Sequence, residues 1–316
     1  MTHLISKIKE FCKVEKMHGT CCNNKEICKV HELSSFVKYT KDEQGIIYSS
    51  IDRIPSFDYD DGVLFIRKIH YAPLAEEIVG KQEYENYKNI YDFLDNLDLC
   101  RTFKENVCYQ TMNMPFKLKL IINSYASNLK CQDTVSDKSL YFSWGNYFVF
   151  NQYADMYSQL GCGNAFWHEI AHSISNMLQN DNVICAMSIK TLTWSAQNDF
   201  HHYKMNIMKS KSVTSERAEQ IITDELRNLH NQADIVSDIY GGVTKNTVVG
   251  AWMHDDEYWH KTDTDETIIG EEFFAEVIAN MICHNDDNIA IAEKYLKTTM
   301  LQFYTIMEGI YTYDKR

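Results

Sequence analysis

Proline is scarce in this chain: Pro55, Pro73 and Pro115 are the only three in 316 residues, and no stretch is rich in Gly, Ser or Pro. An obvious flexible linker is therefore excluded, and domain boundaries have to be read from changes of pattern. Long apolar runs are missing too. Stretches such as Tyr147-Phe148-Val149-Phe150 fall far short of the roughly 18 residues that a membrane-spanning helix needs. At the N-terminus, Lys7, Lys9 and Glu10 interrupt the apolar residues, so the apolar core of a signal peptide is lacking and a cytoplasmic protein is expected. Positive charge is the minority sign: 31 Lys and Arg stand against 44 Asp and Glu, a net charge of −13. That balance argues against a nucleic-acid surface or an anionic membrane as the main partner. The ten cysteines are too sparse for a disulfide scaffold and read as reduced thiols or metal ligands.

What is present is the composition of a globular protein, 45% hydrophobic and 24% charged, enough for one large or two modest domains. Three regions differ in pattern. Residues 1–34 form a Cys/His-rich segment. Residues 35–110 mix two β-like runs, Gly45-Ile46-Ile47-Tyr48 and Gly62-Val63-Leu64-Phe65-Ile66, with a helical pattern from Pro73 to about Leu99 that Gly80 could break. Residues 111–316 open with an expected strand over Phe116–Ile122. A hairpin follows, Leu140–Trp144 and Tyr147–Phe150 joined by Gly145-Asn146. Helices are expected near 164–179, 183–209, 215–240, 270–283 and 287–310, with Asn164 and Asn285 as N-caps and Gly241-Gly242 as a stop. Strands followed by a run of helices predict an α+β fold.

The sharpest chemical signal is His168-Glu169-Ile170-Ala171-His172. On a helix, histidines four residues apart project from one face and both imidazoles can reach one Zn²⁺, while Glu169 beside them can take a proton from water. Phe166, Ile170, Ile174 and Met177 supply the apolar stripe such a helix needs. The alternative is an amphipathic helix carrying two surface histidines, since the five-residue pattern arises by chance in roughly three of a hundred such chains. A catalytic zinc requires a third protein ligand. The run Glu271-Glu272-Phe273-Phe274-Ala275-Glu276 offers Glu272 and Glu276, one turn apart on a face distinct from Phe273, Phe274, Val277, Ile278 and Met281. One could bind the metal while the other holds a ligating histidine from behind.

These residues resemble a known family. His168-Glu169-x-x-His172 followed by Glu272-Phe273-Phe274-Ala275-Glu276 is similar to the gluzincin pattern of lethal-factor-type metallopeptidases. The resemblance implies a zincin-like fold and zinc held by His168, His172 and Glu272. A second likeness joins Asp238–Thr244, Gly250–Trp259 and the Glu272 run, in that order, to metallopeptidase-like domains attached to phage minor head proteins, which also carry a hairpin before the histidine helix. It spans about residues 116–284 and implies phage head components as partners. Residues 183–230 then read as an inserted helical pair.

Peptide hydrolysis also asks for a donor to the developing oxyanion. His254 and Tyr258 are candidates, in a loop where the family places residues that reach the site; packing of an aromatic edge is the alternative for both. Asp238 could orient an active-site histidine. At the N-terminus Cys12, Cys21, Cys28 and His31, with Cys22 and His18 nearby, could fold around a structural zinc or stand as free thiols. The adjacent pairs His201-His202 and Cys283-His284 diverge on a helix and are expected to be bystanders. The expectation is thus a zinc metallopeptidase acting on a protein or peptide. Two other readings remain, a phage or mobile-element structural protein with a zincin-like domain, and an effector that cleaves one host protein.

Overall fold

The computed structural model describes four short strands between residues 39 and 67, then residues 73–313 apart from 182, 252 and 261–266. The N-terminal Cys/His constellation lies outside the described residues. Strands β1 (Tyr39–Lys41), β2 (Ile47–Ser49), β3 (Ser56–Asp60) and β4 (Val63–Arg67) pair antiparallel in chain order. The runs at 47–48 and 63–66 are strands as expected.

The helical pattern after Pro73 is broken twice, giving α1 (Ala75–Val79), α2 (Lys81–Asn86) and α3 (Lys88–Asn96). Gly80 makes the first break with φ +83°, a left-handed conformation open to glycine. Helix α4 (Arg101–Asn113) follows, and then α5 (Phe116–Tyr125), where a strand was expected. The alternation of Phe116, Leu118 and Leu120 with lysines suggests period two. The buried set is Leu118, Lys119, Ile121 and Ile122, at helical spacing behind Pro115. Lys119 enters the core because its ammonium meets Glu83 at 2.9 Å and the Met112 carbonyl at 2.8 Å.

A second sheet contains β5 (Cys131–Asp133), β6 (Val135–Phe142) and β7 (Tyr147–Asn151) in the order β5-β7-β6, with β6 and β7 antiparallel. The hairpin is where it was expected, but its connection takes four residues, Ser143 to Asn146, and Asn146 rather than Gly145 has a positive φ, +45°. After α6 (Gln152–Met156) come α7 (Asn164–Asp181), α8 (Val183–Lys211), α9 (Ser215–Leu229), α10 (Asp234–Thr244), α11 (Asp256–His260), α12 (Ile268–Ile282), α13 (Asp286–Tyr295) and α14 (Lys297–Tyr313).

Two expected long helices are thus interrupted, at His230 with φ +46° and at Leu296. The glycine pair is not a stop either, because α10 runs on to Thr244 and ends on Lys245 in the left-handed region. Gly242 serves close approach instead: a Cβ there would lie 2.9 Å from the Trp259 ring. Asn285 holds the cap position of α13, but its side chain donates to the Leu160 carbonyl and Asn280.

The described part is α+β, mostly helical beside small sheets, and no described helix is long and apolar enough to cross a membrane. One hydrophobic cluster runs from Ala75 through Phe103, Val107, Phe148, Phe166 and Phe274 to Ile310. The packing therefore draws no boundary at residue 110. Gln110 itself reaches across: its Oε1 accepts from the Trp167 indole at 2.8 Å and its Nε2 donates to the Cys162 carbonyl at 2.6 Å. Gly163, with φ +85°, lets it in, since a Cβ there would stand 2.5 Å from Gln110 Oε1.

Candidate metal centre

Helix α7 sits between the β6–β7 hairpin and α12. Phe166, Ile170 and Ile174 of the expected stripe are buried, as are Trp167 and Ala171. This burial fixes the helix's rotation and turns His168 and His172 to a common side. Asn164 does not cap the helix. Asp155 does, accepting from the Ala165 and Phe166 N–H groups at 3.1 and 3.0 Å. The four-residue spacing brings His168 Nε2 and His172 Nε2 to 3.0 Å from each other. Two bare imidazole nitrogens at that separation repel, so the pair has to share a proton or a cation.

Helix α12 supplies the third donor. Glu272 Oε2 lies 3.3 Å from His168 Nε2 and 3.4 Å from His172 Nε2. Glu272 is buried, and Oε2 has no hydrogen-bond partner, a costly arrangement unless something further binds the oxygen. His168, His172 and Glu272 thus form a group that could hold a metal ion. Glu276, one turn on, places Oε1 3.5 Å from His168 Nδ1, behind the ring. Glu271 faces elsewhere and accepts from Gln179 and Thr267.

The electrostatics of the three donors are coupled. Burial alone lowers the His172 imidazole, but Glu272 and Glu169 overcome it and hold the group up at about 9. His168 is lowered, mainly by burial, and Glu272 is held well below the usual carboxylate range against its own burial by the two histidines. Glu169, buried beside them, is pushed up by desolvation to about 8. A divalent cation at the triangle would draw that carboxyl back down.

His254 and Tyr258 come from the segment before α12 and stack on each other, ring centroids 4.0 Å apart. Asp238 on α10 accepts from His254 Nδ1 at 2.9 and 3.0 Å and from its backbone N–H at 2.7 Å. The histidine that Asp238 orients is therefore His254. Burial would depress this imidazole, yet Asp238 above all, with Glu272 and Glu276, raises it to about 10. Tyr258 donates its hydroxyl to Glu272 Oε1, which makes it a positioning group for that carboxylate. Asp238, His254 and Glu272 form a second group of donors close enough for a metal, although the Asp238–His254 pair already satisfies itself. His201 and His202 are exposed and far from this constellation in the chain.

Two contributors had no signal in the sequence. Tyr141 on β6 stacks on His172, rings 10° from parallel with centroids 5.6 Å apart. Asp155, nine residues before α7, belongs to no motif. A cavity of about 490 Å³ opens beside the metal triangle, lined among others by His168, Glu169, His254, Glu276, Asn164 and Asp234. Set against family models, curated proteins and solved structures, the chain matches none.

Proposed function

We propose that this protein is a zinc-dependent metallopeptidase of gluzincin type, with His168, His172 and Glu272 as the metal ligands. The observation that carries the reading is the donor triangle of 3.0, 3.3 and 3.4 Å, one corner of which is a buried carboxylate oxygen without a hydrogen bond. Zinc–nitrogen and zinc–oxygen bonds of about 2.0–2.1 Å at tetrahedral angles separate neighbouring ligands by about 3.3 Å. Two imidazoles and a carboxylate suit zinc better than calcium or magnesium, which prefer all-oxygen cages. When bound, zinc supplies Lewis acidity toward the scissile carbonyl and lowers the pKa of water.

The chain's own residues do the rest. Glu169 accepts the proton of the attacking water and passes it to the leaving amine. His254, kept protonated by Asp238, presents a cation to the developing oxyanion, in the manner of a preorganised donor. Glu276 holds the His168 ring from behind, and Tyr258 fixes the orientation of Glu272. Strand β6 is an edge of its sheet among the described residues and carries Tyr141 against His172, so an extended peptide could pair with it. An intact Glu169 favours hydrolysis over a purely structural zinc site, which would need no base. The test is to incubate the zinc-loaded full chain with a mixture of peptides and analyse the products by mass spectrometry. Cleavage lost on chelation and in Glu169→Gln supports the reading; cleavage indifferent to both overturns it.

A further inference from the structure

The cavity beside the metal triangle is lined by three acidic side chains, Glu169, Glu276 and Asp234, the last at the start of α10. Asp234 is fully buried, 0% exposed, yet neither carboxylate oxygen has a hydrogen-bond partner. The nearest side-chain amide, Asn288, is engaged elsewhere. Asn288 accepts the Asp234 backbone N–H at 2.8 Å and donates its amide to the Asn231 carbonyl at 2.8 Å. Asn164, which lines the same cavity, is also buried with an amide nitrogen that has no partner. A buried carboxylate with both oxygens unpaired is among the costliest arrangements in a folded protein, and it persists where a counter-charge from outside completes it. Desolvation above all pushes this carboxyl up to about 7, the direction of an acid whose charged form is poorly compensated.

Among the described residues no lysine or arginine lines the cavity, and its one basic group, His254, is already paired with Asp238. A water could occupy part of the space, but neutral water does not offset the charge of a buried carboxylate. An ammonium or guanidinium on a flexible alkyl stem can: Leu160, Ala165 and Ala251, also among the lining residues, offer apolar surface for the stem, and the head would meet Asp234. The volume, about 490 Å³, is within the range of ligand sites and ample for one long side chain.

We infer that this cavity is the subsite for a basic side chain, lysine or arginine, next to the peptide bond presented to the metal, and that Asp234 is the residue that selects it. The inference rests on the peptidase reading for what delivers the side chain. Recognition of the cation by the cavity can be measured without any cleavage.

The experiment uses the zinc-loaded full chain carrying Glu169→Gln, so that peptides bind without being turned over. A set of fluorescent hexapeptides moves one arginine or lysine through each position, with citrulline and norleucine as uncharged replacements, and binding is read by anisotropy. At one position the basic residue should bind about 30-fold or more tighter than either replacement, the loss seen when one partner of a buried charge pair is removed. Adding Asp234→Asn should abolish that difference with the zinc content unchanged. No position preferring a base, in a chain whose Asp234 is untouched, overturns the inference whatever the variant does. A preference that survives Asp234→Asn overturns the role of Asp234. A preference found without any cleavage of the same peptide by the unsubstituted chain keeps the subsite and sinks the peptidase reading. Cleavage without any such preference does the reverse.

Discussion

Asp238 grips His254 twice, through the ring Nδ1 at 2.9 Å and through the backbone N–H at 2.7 Å. Orientation and charge of the imidazole are therefore set by one carboxylate. In Asp238→Asn the histidine should lose its charge partner, and its titration should fall from about 10 toward or below the ordinary value near 6.5. Because the folded value is raised, His254 contributes stability below about pH 6.5 that is lost as the pH climbs through about 10; the variant should lack that loss. NMR titration of the histidine ring protons reads the first effect, and thermal melts across that window read the second. An unmoved titration would mean that Asp238 is only a local structural contact.

Zinc and protons should compete for His172. The imidazole is held up at about 9 without metal, and the ligand form is the neutral ring, so binding displaces about one proton. Apparent zinc affinity should rise by about one log unit per pH unit up to about pH 9 and then flatten. Calorimetry in buffers of different ionisation enthalpy counts the protons released. The zinc-induced rise in melting temperature should grow with pH over the same interval.

The three carboxylates of α12 should separate cleanly. Glu272→Ala removes an oxygen 3.3 and 3.4 Å from both histidines and should cost the most zinc affinity. Glu276→Ala removes only the support behind His168 and should cost about 10–100-fold. Glu271→Ala should change little. Competition with a chromogenic chelator ranks them, and Glu276→Ala as the most damaging would assign the third ligand to the wrong residue.

Glu169→Gln should keep fold and zinc while slowing hydrolysis by about 10²–10⁴, the contribution of a positioned general base. Rate and metal content are measured on the same preparation. Retained activity would place the base elsewhere.

Away from the candidate metal centre, Lys119 and Glu83 form an ion pair at 2.9 Å with both side chains buried, and Tyr91 donates to the same Glu83 oxygen at 3.0 Å. Lys119→Met leaves that carboxylate uncompensated and should cost about 3–5 kcal/mol in denaturant unfolding. A double variant with Glu83→Leu should recover much of it. If the single change costs under about 1 kcal/mol, the pair is looser than its burial implies.

Much of the site was legible because its chemistry is local. The spacing of His168 and His172, the stripe of Phe166, Ile170 and Ile174, and the turn between Glu272 and Glu276 all follow from 3.6 residues per turn. What was not legible depends on partners distant in the chain. Residues 116–122 read as a strand because the burial of Lys119 needs Glu83, 36 positions earlier. Asp155 caps α7 across a turn that no motif marks, and Gly241-Gly242 looked like a stop because Trp259, the ring packed onto Gly242, lies beyond the helix. The pairing of Asp238 with His254, rather than with a zinc ligand, is likewise decided by how α10 meets the segment before α12.

Gln110 carries a consequence for how this molecule can be divided. It belongs to a helix that precedes every proposed ligand, yet it holds the Trp167 indole, the residue adjoining His168, and the Cys162 carbonyl at the entrance of α7. A truncation that deletes residues up to 110 would leave the buried indole N–H without this acceptor and open a space under Gly163. The donors would remain on the fragment while their registration loosened. The smallest transplantable unit therefore starts no later than α4, and proteolytic release of a free C-terminal half should yield a weaker metal binder than the intact chain.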